Sequence, residues 1–149
     1  MEEYLEKANA ALDKAAPLVP EQNKVLFESQ AYPIRWLYHS VRTQSNFSKS
    51  CMIRNELIPL SKKESLDTTE KARAQKLYDD WRAILKDELV NSRTAAPIAR
   101  ADVRLDCYFR GDHMFNHLWD MVDAKIALVE SELEVFLPQV ATKCGLNTQ

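Results

Sequence analysis

Residues 67–89 read DTTEKARAQKLYDDWRAILKDEL. Ala74, Leu77, Tyr78, Trp81, Ile84, Leu85 and Leu89 recur at three- and four-residue steps, the interval at which side chains return to one side of an α-helix. Lys71, Arg73, Lys76, Asp79, Arg82 and Lys86 fall mostly on the other side, as they should where that side meets water. Asp67 followed by Glu70 has the form of a capping box, with an acidic cap where Ser or Thr is usual. The expectation is a helix that fades around Arg93–Ala96, with Pro97 at or just past its end.

Working outward, the same spacing recurs upstream. Leu5, Ala8, Leu12 and Ala15 mark an amphipathic helix over Glu2–Ala16, closed by Pro17 and Pro20. A second helix begins near Pro20 and Glu21, proline being suited to a first helical position. Its pattern runs through Val25, Leu26, Tyr32, Trp36, Leu37, Cys51, Met52 and Leu57 until Pro59, and Pro33 predicts a kink or a split. In the polar stretch Ser40–Ser50, Val41, Gln44 and Phe47 read as the inward side. Residues 60–67 form a connection.

Downstream, periodicity is lost from Ile98 to Phe115, a long connection holding one of the two glycines. Asn116 reads as the cap of a last helix carrying Leu118, Met121, Val122, Ile126, Val129, Leu133, Phe136 and Leu137. Pro138 falls near its end, and Gly145 suits a closing turn. Four apolar stripes with no strand pattern predict one all-α domain over residues 1–149. It resembles a four-helix bundle, with a long kinked second helix and a long ordered loop before the last one.

Composition agrees. At 149 residues, 46% hydrophobic and 28% charged, the chain suits one globular domain, and only two glycines disfavour turn-rich sandwiches and barrels. A net charge of −2 from 20 basic and 22 acidic residues gives no broad footprint for nucleic acid or an anionic membrane. Cys51, Cys107 and Cys144 form no Cys-x-x-Cys pair, so free thiols are expected; one bridge plus an odd thiol stays open for an exported chain. The acidic start Met-Glu-Glu-Tyr-Leu-Glu-Lys is unlike a signal peptide, and no apolar stretch approaches the roughly 20 residues of a membrane span. The expectation is a cytoplasmic chain as it stands, or a secreted or periplasmic one if it is part of a larger exported protein.

Signals for chemistry are sparse. His113 and His117 are four apart with Asp120 nearby, a spacing that puts two imidazoles on one helix face. A cap at Asn116 leaves His113 in the loop, so surface or hydrogen-bonded histidines are the stronger reading, and neither metal nor cofactor is expected. No nucleophile elbow, phosphate-cradling loop or dinucleotide fingerprint occurs. The carboxylate pairs Asp79–Asp80 and Glu130–Glu132 fall on wet helix faces without a dry pocket to tune them. Trp36 and Trp81 lie within apolar stripes, where core packing outweighs ligand stacking. No catalytic residue is assigned.

The segment 102–115 is the most informative. Asp102, Arg104, Asp106, Arg110, Asp112 and His113 interleave with Val103, Leu105, Tyr108, Phe109, Met114 and Phe115. One reading is a self-locked loop whose charges pair with each other and with helix ends. The other is a contact surface built on Asp102, Arg104, Tyr108, Arg110, Asp112, His113 and Phe115, and an ordered loop serves both.

The run from Glu88 to Leu105, ELVNSRTAAPIARADVRL, followed by Gly111-Asp-His-Met-Phe115 and Ala124-Lys-Ile-Ala-Leu128, resembles the C-terminal helical region of large bacterial glycoside-hydrolase-like proteins. Ala31-Tyr-Pro-Ile-Arg-Trp-Leu37 is also similar. Asp106 and Cys107 stand where that family carries Gly-Tyr, and Asn116 where it carries Thr. The resemblance implies an ancillary bundle packed against, or derived from, a sugar-cleaving enzyme, with a barrel domain or another subunit as partner. It transfers no catalytic residue, because no position here matches one. The alternatives are a free-standing interaction module or homodimer unrelated to sugars and, last, a metal-dependent bundle enzyme using His113, His117 and Asp120.

Overall fold

A computed structural model of the chain describes residues 1–109 and 115–147, which are helical almost throughout, with no β-strand among them. Helix α1 spans Glu2–Ala15, α2 Lys24–Leu60, α3 Thr68–Ala101, α4 Leu118–Ser131 and α5 Leu137–Cys144. Turns of 3-10 helix at Ala16–Leu18 and Glu21–Asn23 lie between α1 and α2, another 3-10 segment covers Val103–Phe109, and a π-helical turn, Glu132–Phe136, separates α4 from α5. The all-α, bundle-like class is as expected. No helix among the described residues is long and apolar enough to cross a membrane. The chain divides into two compact units, Met1–Thr43 with Asn91–Lys125, and Gln44–Val90 with Ile126–Gln149.

The second unit is built on the stripe of α3. Trp81 and Leu57 are fully buried and Leu137 nearly so, and they cluster with Ala74, Tyr78, Leu85, Val129, Val140 and Cys144. The ring of Phe136 meets Trp81 edge-on, with centroids 6.0 Å apart. Arg54 covers both rings, its guanidinium carbon 5.5 Å from the Trp81 centroid and 5.7 Å from that of Phe136. The same side chain donates to Glu132 Oε1 at 3.2 Å. Burial raises the pKa of the Cys144 thiol, which keeps it protonated and inert.

Both ends of this unit are closed as the residue types demand. The Glu70 amide donates to Asp67 Oδ1 at 2.8 Å and the Asp67 amide to Glu70 Oε2 at 3.3 Å, the reciprocal pair of a capping box. Lys63 binds Glu70 as well, and that contact chiefly holds the Glu70 carboxyl below its usual pKa. At the other end Gly145 takes φ 60° and ψ 41°, a left-handed geometry that glycine adopts without strain. Its neighbour Leu146 then donates to Ala141 O at 2.9 Å, completing a Schellman closure. Gln75 and Asn147 exchange two hydrogen bonds, 3.1 and 3.0 Å, and so tie the chain beyond Gly145 to α3.

Proline disrupts less than the sequence suggested. Helix α2 is not split at Pro33, and α3 does not fade near residue 93 but continues through Pro97 to Ala101. Both prolines are exposed, so the hydrogen bond each fails to donate is lost on the wet side, where water can replace it. The alanines beside Pro97 explain why α3 persists: Ala95, Ala96 and Ala99 are buried, and they favour the helix on both propensity and packing grounds. Past α4 the Leu137 amide reaches back five residues to Glu132 O. Pro138 follows, and its ring would press on the Glu134 carbonyl in an α-helical turn. The wider turn relieves that contact.

In the first unit Ala31, Tyr38, Ile98, Leu118 and Val122 are buried together with those alanines. Helix α1 buries no residue completely. Its Leu5, Ala8, Leu12 and Ala15 are half-buried, and Arg35 of α2 holds it through Asp13 Oδ1 at 2.7 Å and Asn9 Oδ1 at 3.2 Å.

Candidate functional site

Within the segment singled out by sequence, residues 102–106 are pinned at two points. Asp102, buried at the end of α3, accepts from Arg104 three times: from the backbone amide at 3.0 Å, Nε at 2.8 Å and Nη2 at 2.5 Å. The guanidinium beside it is the main reason that the Asp102 carboxyl sits below its usual pKa. The same Nη2 also donates to the carbonyl of Ser29 on α2. One arginine therefore fastens the start of the 3-10 segment to two helices.

The second point is Asp106. Its Oδ2 pairs with His117 Nδ1 at 2.8 Å, and its Oδ1 accepts the Leu118 amide at 2.6 Å. The His117 amide donates to Asp120 Oδ2 at 3.1 Å, and the imidazole stacks on Trp119 with centroids 4.2 Å apart and planes 14° from parallel. The cap of the last helix is thus His117 with Asp106 and Asp120, one residue beyond the expected Asn116. Two carboxylates at that end also complement its positive helix dipole. His117 and Asp120, considered above as metal ligands, are engaged in this capping, and among the described residues no group of three or more His, Cys, Asp or Glu is placed to hold a metal ion.

Of the other expected contact residues, Phe115 is half-buried. Tyr108 belongs to the 3-10 segment Val103–Phe109, but its side chain lies outside the described part, and Arg110, Asp112 and His113 lie outside the described residues altogether. Val103 stands 73% exposed between the fastened Asp102 and Arg104. Compared with known protein families, curated proteins and solved structures, the chain matches none.

Buried polar residues form a feature that hydrophobic spacing missed. In the first unit Asn91, on α3, sits between two groups of α2. His39 Nδ1 pairs with its Oδ1 at 2.7 Å, while its Nδ2 donates to His39 O and to Thr43 Oγ1, each at 3.0 Å. Lys125 of α4 donates to the same Thr43 hydroxyl at 2.9 Å. His39 and Asn91 are both buried. Burial is the main cause of a lowered His39 pKa, and Arg42, Arg35 and Lys125 push the same way against the Asn91 hydrogen bond, so the ring is neutral near pH 7.

In the second unit Asn46 Nδ2 donates to Asp87 Oδ2 at 2.8 Å and to the buried Glu88 Oε2 at 3.0 Å. These pairs overturn the expected inward side of α2, since Gln44 and Phe47 are exposed, Phe47 by 62%. Val25, Leu26, Leu37 and Met52 are exposed as well. The physical reason is that α3 presents Glu88 and Asn91 inward, and an amide or imidazole can satisfy such groups where Phe47 cannot. A sequence signal existed: His39, Thr43 and Asn46 on α2, and Glu88 and Asn91 on α3, follow the same three- and four-residue spacing as an apolar stripe.

Proposed function

We propose that this chain is a non-catalytic helical accessory module that acts by packing against another protein, through the segment that begins at Asp102. The observation that carries this reading is the double fastening at Asp102–Arg104–Ser29 and at Asp106–His117–Leu118, with Val103 held out in solvent within the first of the two, between Asp102 and Arg104. A surface fixed before it meets its partner spends little ordering free energy on binding. The likeness to the helical regions of glycoside-hydrolase-like proteins supports a carbohydrate-active barrel as the partner.

Calorimetric titration of the chain with barrel domains of such proteins tests the proposal. Binding that Val103→Asp abolishes, with the helical content unchanged, is the expected result. Turnover of glycoside substrates by the purified chain alone would refute the non-catalytic reading.

A further inference from the structure

In the second unit α2 and α3 run antiparallel: Asn46 meets Asp87, and further along α2 Glu56 meets Arg73, which comes earlier in α3. Between these two contacts the helices bound a groove of about 430 Å³. Met52 and Ile53 of α2 and Ile84 of α3 belong to its apolar lining, and Met52 is 69% exposed. Its charged lining is Lys49, Glu56 and Asp80. Lys49 lies towards the Asp87 end and Glu56 at the Arg73 end, so the groove is positive at one end and negative at the other. We infer that it seats the same face of a second copy of the chain, in an antiparallel two-fold dimer.

The charges that line the groove choose that occupant. Lys49 and Glu56 are both exposed. The Lys49 ammonium makes no hydrogen bond or ion pair among the described residues. Glu56 binds Arg73 through Oε2 alone, which leaves Oε1 for a further cation. Along α2 the two residues stand about 10 Å apart, two helical turns, with Met52 and Ile53 midway between them. A two-fold axis through that midpoint, perpendicular to α2, sets the lysine of each copy opposite the glutamate of the other. Met52 and Ile53 then cover their own counterparts. A groove of one sign throughout would repel its copy, whereas opposite signs at its two ends make it self-complementary. Nucleic acid or an anionic membrane would be repelled by Glu56 and Asp80. Two exposed ion pairs around one groove make a modest contact, so the dimer is reversible rather than obligate. The inference stands apart from the surface at Val103.

Sedimentation equilibrium of the full chain over a wide concentration range provides the test. The wild type is expected to show a reversible monomer–dimer equilibrium. Lys49→Glu and Glu56→Lys each set like charges opposite one another twice and should raise the dissociation constant about tenfold or more. An equimolar mixture of the two variants should associate again, because both cross-pairs become attractive. Glu56→Lys also faces Arg73 of its own chain, so circular dichroism checks its fold. Met52→Glu gives an independent reading, with a rise of about a hundredfold expected. Lys14→Glu, an exposed reversal in the first unit, should leave the equilibrium unchanged. A wild type that is monomeric at every concentration overturns the inference and leaves the groove to another protein. A dimer that survives both Lys49→Glu and Met52→Glu overturns it as well, and so do single variants whose mixture fails to associate.

Discussion

Replacing Asn91 by alanine should destabilise the chain far more than the loss of a small polar side chain suggests. Asn91 is 4% exposed and takes part in three hydrogen bonds, with the His39 imidazole, the His39 carbonyl and the Thr43 hydroxyl. Each is worth about 1 kcal/mol net, and a buried partner left unpaired adds its own desolvation penalty of about 1–3 kcal/mol. Lys125 still reaches Thr43 in the variant, so the full penalty falls on His39 Nδ1 alone. The three bonds and that one penalty together give an expected loss of about 4–6 kcal/mol, read as a lower urea midpoint at unchanged slope by far-UV circular dichroism at neutral pH. A loss below about 0.5 kcal/mol, the size of an ordinary surface substitution, would refute the argument that this buried amide holds α2 and α3 together.

Other expectations follow from neighbouring features. The folded chain takes a proton on His39 only below the ordinary histidine pKa of about 6.5. Stability is therefore complete above that pH and declines as pH falls through it towards the folded value, because the unfolded chain binds the extra proton first; His39→Gln should flatten that decline in urea titrations across pH. Trp81→Ala, at a fully buried site under Arg54 and against Phe136, should cost about 3–5 kcal/mol by the same measurement. Asp67→Ala removes the cap of α3 and should cost about 1 kcal/mol, lowering the melting temperature by about 2–4 °C.

The parts of the fold legible in sequence are those decided by local chemistry. The Asp67–Glu70 box is legible because both partners lie within one turn, and the Trp81 stripe because apolar spacing and burial coincide there. Gly145 is legible because few residues other than glycine adopt its backbone angles. Where neighbouring helices intervene, the reading fails. Phe47 faces water because Asn46 has Asp87 and Glu88 to satisfy, which no window along α2 alone could reveal. Pro33 and Pro97 leave their helices whole because each ring lies on the exposed side, a matter settled by the neighbours of α2 and α3. In the candidate site the mixed charge of residues 102–115 is visible in sequence, and so is the idea of a self-locking loop. That Asp106 rather than Asn116 serves the start of α4 depends on a contact eleven residues away, with His117.

The wide turn at Glu132–Phe136 has a practical consequence for anyone re-engineering the C-terminal half. Residues 118–144 cannot be drawn as one ideal rod, because the extra residue accommodated there shifts the phase of everything after it by about 100°. Leu137, Val140, Ala141 and Cys144 are buried with that offset in place. A graft or idealised redesign that irons out the turn must also drop one residue, or those four side chains will point into solvent.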